Sequence, residues 1–213
     1  MSPDRAHEGE PSPNALTLAS YQAHVDDYVR GTPSQTSSSL AEWFAEVTAG
    51  LPTTARLLEL GSGTGRDARH LATRGYQVTC TDATPAFVDL LRANGHHDAY
   101  HLDMVTDPLP EGYDVIMSVA AMLHLTRPQF EDLVARVRTA LPDAGRFAFS
   151  VKEGDGEAWT TVKLGAPRYF CYWQAHDLRD LVQRHGFTAR ITHSRGPTGE
   201  PFVRVIATPD VSC

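Results

Sequence analysis

The sequence predicts an α/β protein with a doubly wound, mostly parallel sheet of seven strands. Short apolar runs alternate with amphipathic helical stretches between residues 56 and 151, which is typical of strands joined by crossover helices. The first run opens into alternating glycines at positions 61, 63 and 65, as a strand does when it turns sharply into a helix. Two last strands, 188–193 and 202–208, flank a Gly-Pro-Thr-Gly turn, which predicts a C-terminal antiparallel hairpin.

Composition limits the size, partners and location of the protein. A chain of 213 residues that is 41% hydrophobic can bury one sizeable core. Its net charge of −7 carries no cluster of basic residues, so we expect no nucleic-acid partner. Three cysteines without CxxC spacing predict neither a disulfide framework nor a zinc site. No apolar stretch reaches membrane-spanning length, and we expect a cytoplasmic protein, either a monomer or a homodimer.

The N-terminal part of the chain predicts a tail followed by two helices. Residues 1–13 are polar and contain prolines, which favours a disordered tail. From residue 14, Leu16, Tyr21, Val25 and Tyr28 can share one helical face. Ser37 can cap a second helix that ends before residue 50. We therefore expect residues 14–52 to form a helical segment ahead of a main domain at residues 53–213.

The central part of the chain alternates strands with helices. Proline at position 85, threonine at position 126 and glycines at positions 75 and 186 mark helix boundaries. Residues 152–157 predict a polar loop, and residues 168–173 are dense in aromatic side chains. Helices are predicted at residues 67–74, 85–93, 128–141 and 175–184, and strands at residues 57–60, 76–81, 99–102, 113–119 and 145–151.

The stretch from Arg56 to Asp67 predicts a ligand-binding loop. Glycine backbone allows a ligand to approach closely, and the following helix offers free N–H groups. A dinucleotide fingerprint needs G-x-G-x-x-G, but Arg66 stands at the last glycine position. Glu59 would sit poorly beside a pyrophosphate and well beside a cation. The loop therefore predicts a nucleotide-like ligand that is not a dinucleotide.

The acid-x-Gly-x-Gly-x-Gly pattern resembles the signature of the class I S-adenosylmethionine-dependent methyltransferases. The resemblance covers residues 14–208 and implies a Rossmann-like sheet with S-adenosyl-L-methionine as cofactor. It also implies that residues 14–52 fold over the cofactor as a lid that carries Tyr21 and Tyr28, although packing between helices would also explain these two rings. The expected contacts of the loop with the cofactor are Glu59, Gly61, Ser62, Gly63, Gly65 and Arg66.

Acidic residues after the second and third strands suit the remainder of such a cofactor. Asp82 ends the second strand, where a parallel doubly wound unit places an acid for ribose hydroxyls. A turn or capping aspartate is the alternative. The resemblance places the adenine near Asp103 and Met104, and we include Ala83 and Ser118 among the expected cofactor contacts.

The end of the fourth strand predicts the reacting centre. In an open sheet the ligand lies at the carboxyl ends of the strands, at the switch point, which directs His124 toward the transferred methyl group. The D-x-I-x-S…L-H-L ending resembles the small-molecule, tellurite-resistance-like branch of these methyltransferases. His124, with a pKa near neutrality, is the expected general base. Tyr28 and Tyr169 are further catalytic candidates, with core packing an equal alternative for Tyr169.

Histidines at positions 96, 97 and 101, with aspartates at 98 and 103, match no known metal spacing, and we expect no metal.

Taken together, the motifs predict a methyltransferase that acts on a small-molecule acceptor. They leave open whether an O, N or C atom is methylated and whether the protein has a role in secondary metabolism. A cofactor-binding regulator without turnover and an RNA or protein methyltransferase are the alternatives. A nicotinamide-dependent oxidoreductase would need glycine at position 66 and a Tyr-x-x-x-Lys motif, and neither is present.

Overall fold

A computed structural model gives the structure of residues 11–210. Most of the predicted disordered tail, residues 1–10, lies outside the described residues. The helices are α1 (Pro13–Ala23), α2 (Val25–Arg30), α3 (Ser38–Val47), α4 (Arg66–Ala72), α5 (Pro85–Ala93), α6 (Arg127–Ala140) and α7 (Ala175–Arg184). The strands are β1 (Arg56–Leu60), β2 (Gln77–Asp82), β3 (Tyr100–His101), β4 (Val115–Val119), β5 (Arg146–Lys152), β6 (Glu157–Thr160), β7 (Arg168–Cys171), β8 (Phe187–Arg195) and β9 (Pro201–Pro209).

Seven strands form the main sheet in the order β3-β2-β1-β4-β5-β9-β8. The first five strands are parallel, whereas β9 runs antiparallel to both β5 and β8. The predicted fold class, a Rossmann-like α/β sheet with a C-terminal antiparallel hairpin, is confirmed. The strand order reverses between β1 and β4, so the switch point lies where the glycine loop leaves the sheet.

Helices cover both faces of this sheet, which explains why its central strands are apolar without alternation. Leu58 and Ile116, paired in register, pack into the core on one face. Leu57 and Val115 pack into a separate cluster on the other face, together with the apolar side of α3. Because α3 belongs to this core, only α1 and α2 of the predicted lid segment lie over the ligand edge of the sheet.

Several helix boundaries follow the local chemistry that the sequence contains. The Ser37 hydroxyl accepts a hydrogen bond from the Leu40 amide at the start of α3, as expected of a cap. Thr126 and Gln129 form a reciprocal capping box at the start of α6. Helices α5 and α7 have the predicted bounds, because proline at N1 and glycine after the last turn mark them clearly.

The apolar helical face predicted for residues 14–28 is wrong. His24 interrupts the helix and separates α1 from α2, and Leu16 is exposed. The buried side of α1 is polar instead: Thr17 accepts a hydrogen bond from the Tyr169 amide, and Ser20 donates one to the Pro167 carbonyl. Partners far along the chain therefore decide which face of α1 is buried.

A second, two-stranded sheet was missed by the sequence reasoning. Strands β6 and β7 pair antiparallel, with Trp159 opposite Tyr169. Strand β6 starts at the last residue of the predicted polar loop, 152–157, and β7 lies within the aromatic segment 168–173. Each strand has only four residues, so neither presents a clear period-2 pattern. This small sheet supports α1 and thereby places it above the carboxyl ends of β1 and β4. In residues 11–210, every helix is too short or too polar to cross a membrane.

Candidate functional site

One cavity lies at the carboxyl ends of β1, β2 and β4, beneath α1 and α2. Nine of the predicted site residues line it: Tyr21, Tyr28, Gly61, Gly63, Asp82, Ala83, Asp103, Met104 and His124. The sequence reasoning missed the other residues around it, which are Asn14, Thr17, Leu18, Thr84, Phe87, Val119, Ala120, Ala121 and Leu125.

The glycine loop is shaped by close contact with the end of β4. Gly61 has φ of +76°, and a Cβ built there would lie 2.5 Å from the Cβ of Ala121. The amides of Gly61 and Ser62 both donate to the Thr81 carbonyl, at 3.0 and 2.8 Å. The loop is thus held against both neighbouring strands, and its backbone forms the floor of the cavity.

The Asp82 carboxylate connects this loop to β2. One oxygen accepts a hydrogen bond from the Gly63 amide at 2.9 Å, and the other accepts from the Thr84 amide at 2.8 Å. Burial raises the pKa of Asp82, and the two amides oppose that rise. Asp82 therefore holds the turn, as the interpretation as a turn aspartate predicts. It also lines the cavity, which the interpretation as a ribose-binding acid requires.

Asp103 and Met104 form the side of the cavity beyond β2. Asp103 accepts a hydrogen bond from the Val105 amide at 2.8 Å, which fixes its carboxylate in the turn after β3. The Met104 side chain is buried, and its methyl group approaches Gly61. An acidic acceptor and an apolar surface therefore lie side by side on this wall of the cavity.

Glu59 is a buried acid beneath the glycine loop. Only 2% of the residue is exposed, and its Oε2 has no hydrogen-bond partner among residues 11–210. Burial, with the nearby negative charge of Asp67 as a smaller cause, raises the pKa of Glu59 to about 8. Such a carboxyl group is stabilised in its charged form when a cation approaches.

Five predicted contacts do not line the cavity. Ser118 donates to the Leu60 carbonyl, and the Ser62 hydroxyl accepts from the Thr81 amide. Arg66 makes two hydrogen bonds to Asp67, at 2.8 and 2.9 Å. A Cβ on Gly65 would meet His96 at 2.7 Å, so this glycine permits packing. With Glu59, these residues support the loop from outside the cavity.

His124 is held between the lid and the small sheet. Its Nδ1 lies 2.6 Å from the Tyr169 carbonyl oxygen, and its Nε2 lies 2.8 Å from the Tyr21 hydroxyl. Because a carbonyl oxygen only accepts, we assign the proton to Nδ1, so that Nε2 accepts from Tyr21. Burial lowers the pKa of His124 to about 3. The expectation of a histidine that titrates near neutrality is therefore wrong for this closed arrangement.

The tyrosines of the site have different surroundings. The rings of Tyr21 and Tyr28 meet edge to face at 5.3 Å, and both pack against Phe87. The ring of Tyr169 instead contacts Trp159, away from the cavity. Tyr169 contributes its carbonyl group to the site, whereas its hydroxyl does not reach the cavity; the predicted catalytic side chain is corrected to a backbone acceptor.

Ala120 has an unusual backbone at the cavity wall. Its φ of +54° is the one positive value outside glycine in residues 11–210, and a non-glycine residue in this region stores strain. The strain turns the chain out of β4 into the short 3-10 turn that carries His124. No sequence signal indicated this conformation, because alanine does not favour it.

The fold and this cavity define an α/β protein that binds a nucleotide-like ligand at the switch point. Residues 32–191 match a family model described as a methyltransferase domain, and the chain belongs to this methyltransferase family. Uncharacterized methyltransferases of Mycobacterium tuberculosis and Mycobacterium bovis are each 37% identical over 190 residues, which is 87% of this chain and 67% of theirs. The protein is an S-adenosylmethionine-dependent methyltransferase, since S-adenosylmethionine is the methyl donor of this class.

Solved structures share the same fold. The structure of the DhpI–SAH complex has a TM-score of 0.74 and 18% identity, and it covers 96% of this chain and 100% of its own. A Burkholderia thailandensis 1,6-didemethyltoxoflavin-N1-methyltransferase, bound to 1,6-didemethyltoxoflavin and S-adenosylhomocysteine, has a TM-score of 0.72 and 19% identity. Its alignment covers 96% of this chain and 93% of that chain.

The residues present fit S-adenosylmethionine. The cofactor carries positive charge on sulfur and on its amino group, and the uncompensated Glu59 carboxyl group beneath the loop suits a cation. The bare backbone of Gly61 and Gly63 leaves room that side chains would fill. Asp82 and Asp103 provide acceptors on the same cavity, whereas a pyrophosphate would meet three acids.

Replacing Gly61 by alanine is expected to lower cofactor affinity at least tenfold. The new Cβ would collide with Ala121, so the loop or the end of β4 must shift. Gly50→Ala is the matched control, because Gly50 has a similar φ of +74° and open space around it. Both variants bear a left-handed backbone cost of about 1–2 kcal/mol. Calorimetry should show weaker binding of S-adenosylhomocysteine by Gly61→Ala than by Gly50→Ala. Equal affinities of the two variants would contradict a contact between the cofactor and Gly61.

Glu59→Gln is expected to remove a pH-dependent loss of stability from the ligand-free protein. With its pKa raised from 4.5 to about 8, folded Glu59 holds a proton that the unfolded chain releases. The free energy of unfolding therefore falls as pH rises between these values, by up to about 1.4 kcal/mol per pH unit. In urea unfolding at pH 5, 6.5 and 8, the free energy of unfolding of Glu59→Gln should rise relative to that of the wild type as the pH rises. The exposed Glu42→Gln variant should have the same pH dependence as the wild type. If Glu59→Gln also has the same pH dependence as the wild type, the raised pKa of Glu59 is refuted.

Proposed function

We propose that this protein transfers the methyl group of S-adenosylmethionine to a small-molecule acceptor. One observation supports this most strongly: the glycine loop, Asp82, the lid tyrosine Tyr21 and His124 all border a single cavity at the switch point. Cofactor and acceptor groups thus converge at the place where an open α/β sheet binds ligands.

We propose that each part of the cofactor contacts one of the three acids or the glycine loop. Asp82 accepts hydrogen bonds from the ribose hydroxyls, and Asp103 accepts from the adenine amine beside Met104. Gly61 and Gly63 allow the amino-acid part to lie against bare backbone, above the Glu59 carboxyl group, which an approaching cation stabilises in its charged form. Ala83 contributes backbone surface next to Asp82. Tyr28 covers this half of the cavity, since its ring lies 3.8 Å from the position of a Cβ on Gly63.

The closed lid supports a small acceptor rather than a macromolecule. Helices α1 and α2 lie directly over the cavity, and Thr17 and Ser20 tie α1 to the small sheet. An RNA or protein segment would have to displace these contacts, and the net charge of −7 disfavours RNA. The small-molecule acceptor of the Burkholderia neighbour agrees with this proposal. The tellurite-resistance-like branch and a role in secondary metabolism remain part of the proposal, supported by the strand-four ending alone.

His124 and Tyr21 act in this proposal as a pair that holds the site closed. S-adenosylmethionine supplies a methyl group already activated by its sulfonium, so alignment of the nucleophile and exclusion of water contribute most of the rate. The Tyr21 hydroxyl donates to neutral His124, which is anchored in turn to β7. This connection fixes α1 above the acceptor. A histidine whose pKa is about 3 is a weak base while the lid is closed.

Asp82→Asn is expected to weaken S-adenosylmethionine and S-adenosylhomocysteine binding by a factor of ten or more. The amide cannot accept from ribose hydroxyls and from the Gly63 amide as two carboxylate oxygens do, and charge-assisted bonds contribute about 1.5–3 kcal/mol. Asp89→Asn, on the exposed side of α5, is the matched control. Calorimetry should show binding of both sulfur ligands by the wild type and little binding of NAD.

The same preparation tests turnover. Transfer of a labelled methyl group to any member of a panel of hydroxyl, amine and indole metabolites would support an enzyme. Tight NAD binding without S-adenosylmethionine binding would refute the proposed function. Cofactor binding without transfer to RNA, protein or small molecules would instead favour a regulatory role.

Tyr21→Phe and His124→Ala are expected to lower kcat by similar factors, on the order of ten to a hundred, because small misplacements of reacting groups are costly. The double variant should be no slower than the slower single variant, because each single substitution already removes the hydrogen bond between Tyr21 and His124. Affinity for S-adenosylhomocysteine should stay within a few fold. Tyr76→Phe is the control, because the Tyr76 hydroxyl donates to the Thr48 and Leu51 carbonyls, which follow α3 and lie away from the cavity. The wild-type pH profile should lack an inflexion near 6.5; one that His124→Ala abolishes would show a general base instead.

A further inference from the structure

Three cations lie around the aromatic rings that border the cavity. Lys152 is the last residue of β5, Arg168 is the first residue of β7, and Lys163 lies in the loop before β7. We call these three residues the cationic cluster. They surround the aromatic rings next to the cavity: Lys152 and Arg168 lie over Phe170 at 4.2 and 5.2 Å, and Lys163 lies over Tyr28 at 3.9 Å.

Arg168 is a buried cation without an anionic partner in residues 11–210. The residue is only 6% exposed, and no carboxylate in the described chain forms a salt bridge with it. Its one hydrogen bond goes from Nη1 to the Tyr21 hydroxyl at 3.2 Å. Its Nε–H is buried and has no acceptor among the described residues. A buried, unpaired guanidinium is costly, which indicates a binding partner outside the described chain.

The two lysines add positive charge that is also weakly compensated. Neither forms a salt bridge within residues 11–210, although Lys163 donates to the Thr32 hydroxyl at 2.7 Å. Burial, with the charge of Arg168 as the next cause, lowers the pKa of Lys163 to about 8. Burial also lowers the pKa of Lys152. Glu200, the acid whose charge acts on both lysines, receives hydrogen bonds from the amide and hydroxyl of Thr198.

The position of the cluster relates it to the methyl acceptor. His124 contacts the Phe170 ring at 4.7 Å, and the Tyr21 hydroxyl lies between Arg168 and His124. Lys152 and Arg168 lie over the same Phe170 ring. The half of the cavity next to the glycine loop is lined by Asp82 and Asp103 instead. A ligand bound near His124 can therefore extend a negative group toward the guanidinium.

We propose that the methyl acceptor carries an oxyanion, a carboxylate, phosphate or phosphonate, and that Arg168 binds it with help from Lys152 and Lys163. This inference rests on the proposed function and specifies its substrate class. The guanidinium presents parallel N–H groups that match two oxyanion oxygens. The lysines attract the anion and close one side of the site. The atom that receives the methyl group then lies on the cavity side of Tyr21.

A structural role for Arg168 makes a different prediction. If the guanidinium only orients Tyr21, removing the Tyr21 hydroxyl should have the same effect as removing the guanidinium. If it binds an oxyanion, Tyr21→Phe leaves the cation in place, and oxyanion binding should survive.

The test uses the full chain saturated with S-adenosylhomocysteine and titrated at constant ionic strength with inorganic phosphate, acetate or methylphosphonate. Acetamide, which resembles acetate without its charge, is the neutral control. We expect saturable binding of at least one oxyanion and none of acetamide. Arg168→Gln should weaken that binding about tenfold or more while the affinity for S-adenosylhomocysteine stays within about twofold. Lys152→Gln should weaken it less, and the exposed Arg179→Gln variant should leave it unchanged.

The outcomes separate this inference from the proposed function. Failure to bind S-adenosylhomocysteine would refute the proposed function. Normal binding of S-adenosylhomocysteine without saturable oxyanion binding would refute the inference alone. Equal oxyanion affinities for the wild type and Arg168→Gln would also refute it, as would an equal loss in Tyr21→Phe. Should Arg168→Gln fail to fold, as judged by circular dichroism, Lys152→Gln and Lys163→Gln together provide the same comparison.

Discussion

The hydrogen bond between the Gly63 amide and the Asp82 carboxylate is the interaction on which the site depends. It joins the loop after β1 to the end of β2, while the Thr81 carbonyl holds the two preceding amides of the loop. These bonds keep the glycine backbone against the sheet, where Gly61 touches Ala121 at the end of β4. The floor of the cavity is therefore set by three neighbouring strands, and the lid only has to cover it.

The charges of the site are divided between its two halves. Glu59, Asp82 and Asp103 lie around the glycine loop. Arg168 lies against the Tyr21 and Phe170 rings, and Lys152 also lies over Phe170. In the proposed function these acids lie on the donor side. Because methyl transfer converts a cationic sulfonium into a neutral thioether, they would then favour binding of the donor over its product. Cations on the other side suit an acceptor with negative charge. Arg168 is buried against the aromatic rings of Tyr21 and Phe170, and electrostatic interactions are stronger in such buried surroundings.

Closure of the lid depends on polar contacts rather than on an apolar face. Thr17, Ser20 and Tyr21 connect α1 to β7, to the preceding Pro167 and to His124. Such contacts can break and reform at modest free-energy cost because water replaces them. In the proposed function α1 and α2 act as a lid that opens to admit ligands, and polar contacts suit such a lid better than a continuous hydrophobic interface. The buried state of His124, and hence its low pKa, belongs to the closed arrangement.

The sequence by itself determined the main sheet, its glycine loop and half of the cavity residues. Apolar strands, proline and glycine boundaries and the capping box at Thr126 are local signals, and the carboxyl ends of parallel strands necessarily meet at one edge. Asp82, Asp103 and His124 could be assigned to that edge for this reason. The tertiary structure decided what depends on partners distant in the chain. The polar face of α1, the pairing of β6 with β7 and the outward ring of Tyr169 follow from packing across more than a hundred residues or from strands too short to show a period. Burial, which only the assembled fold provides, also decided the ionisation of Glu59 and His124 and left Arg168 without an acidic partner in the described chain.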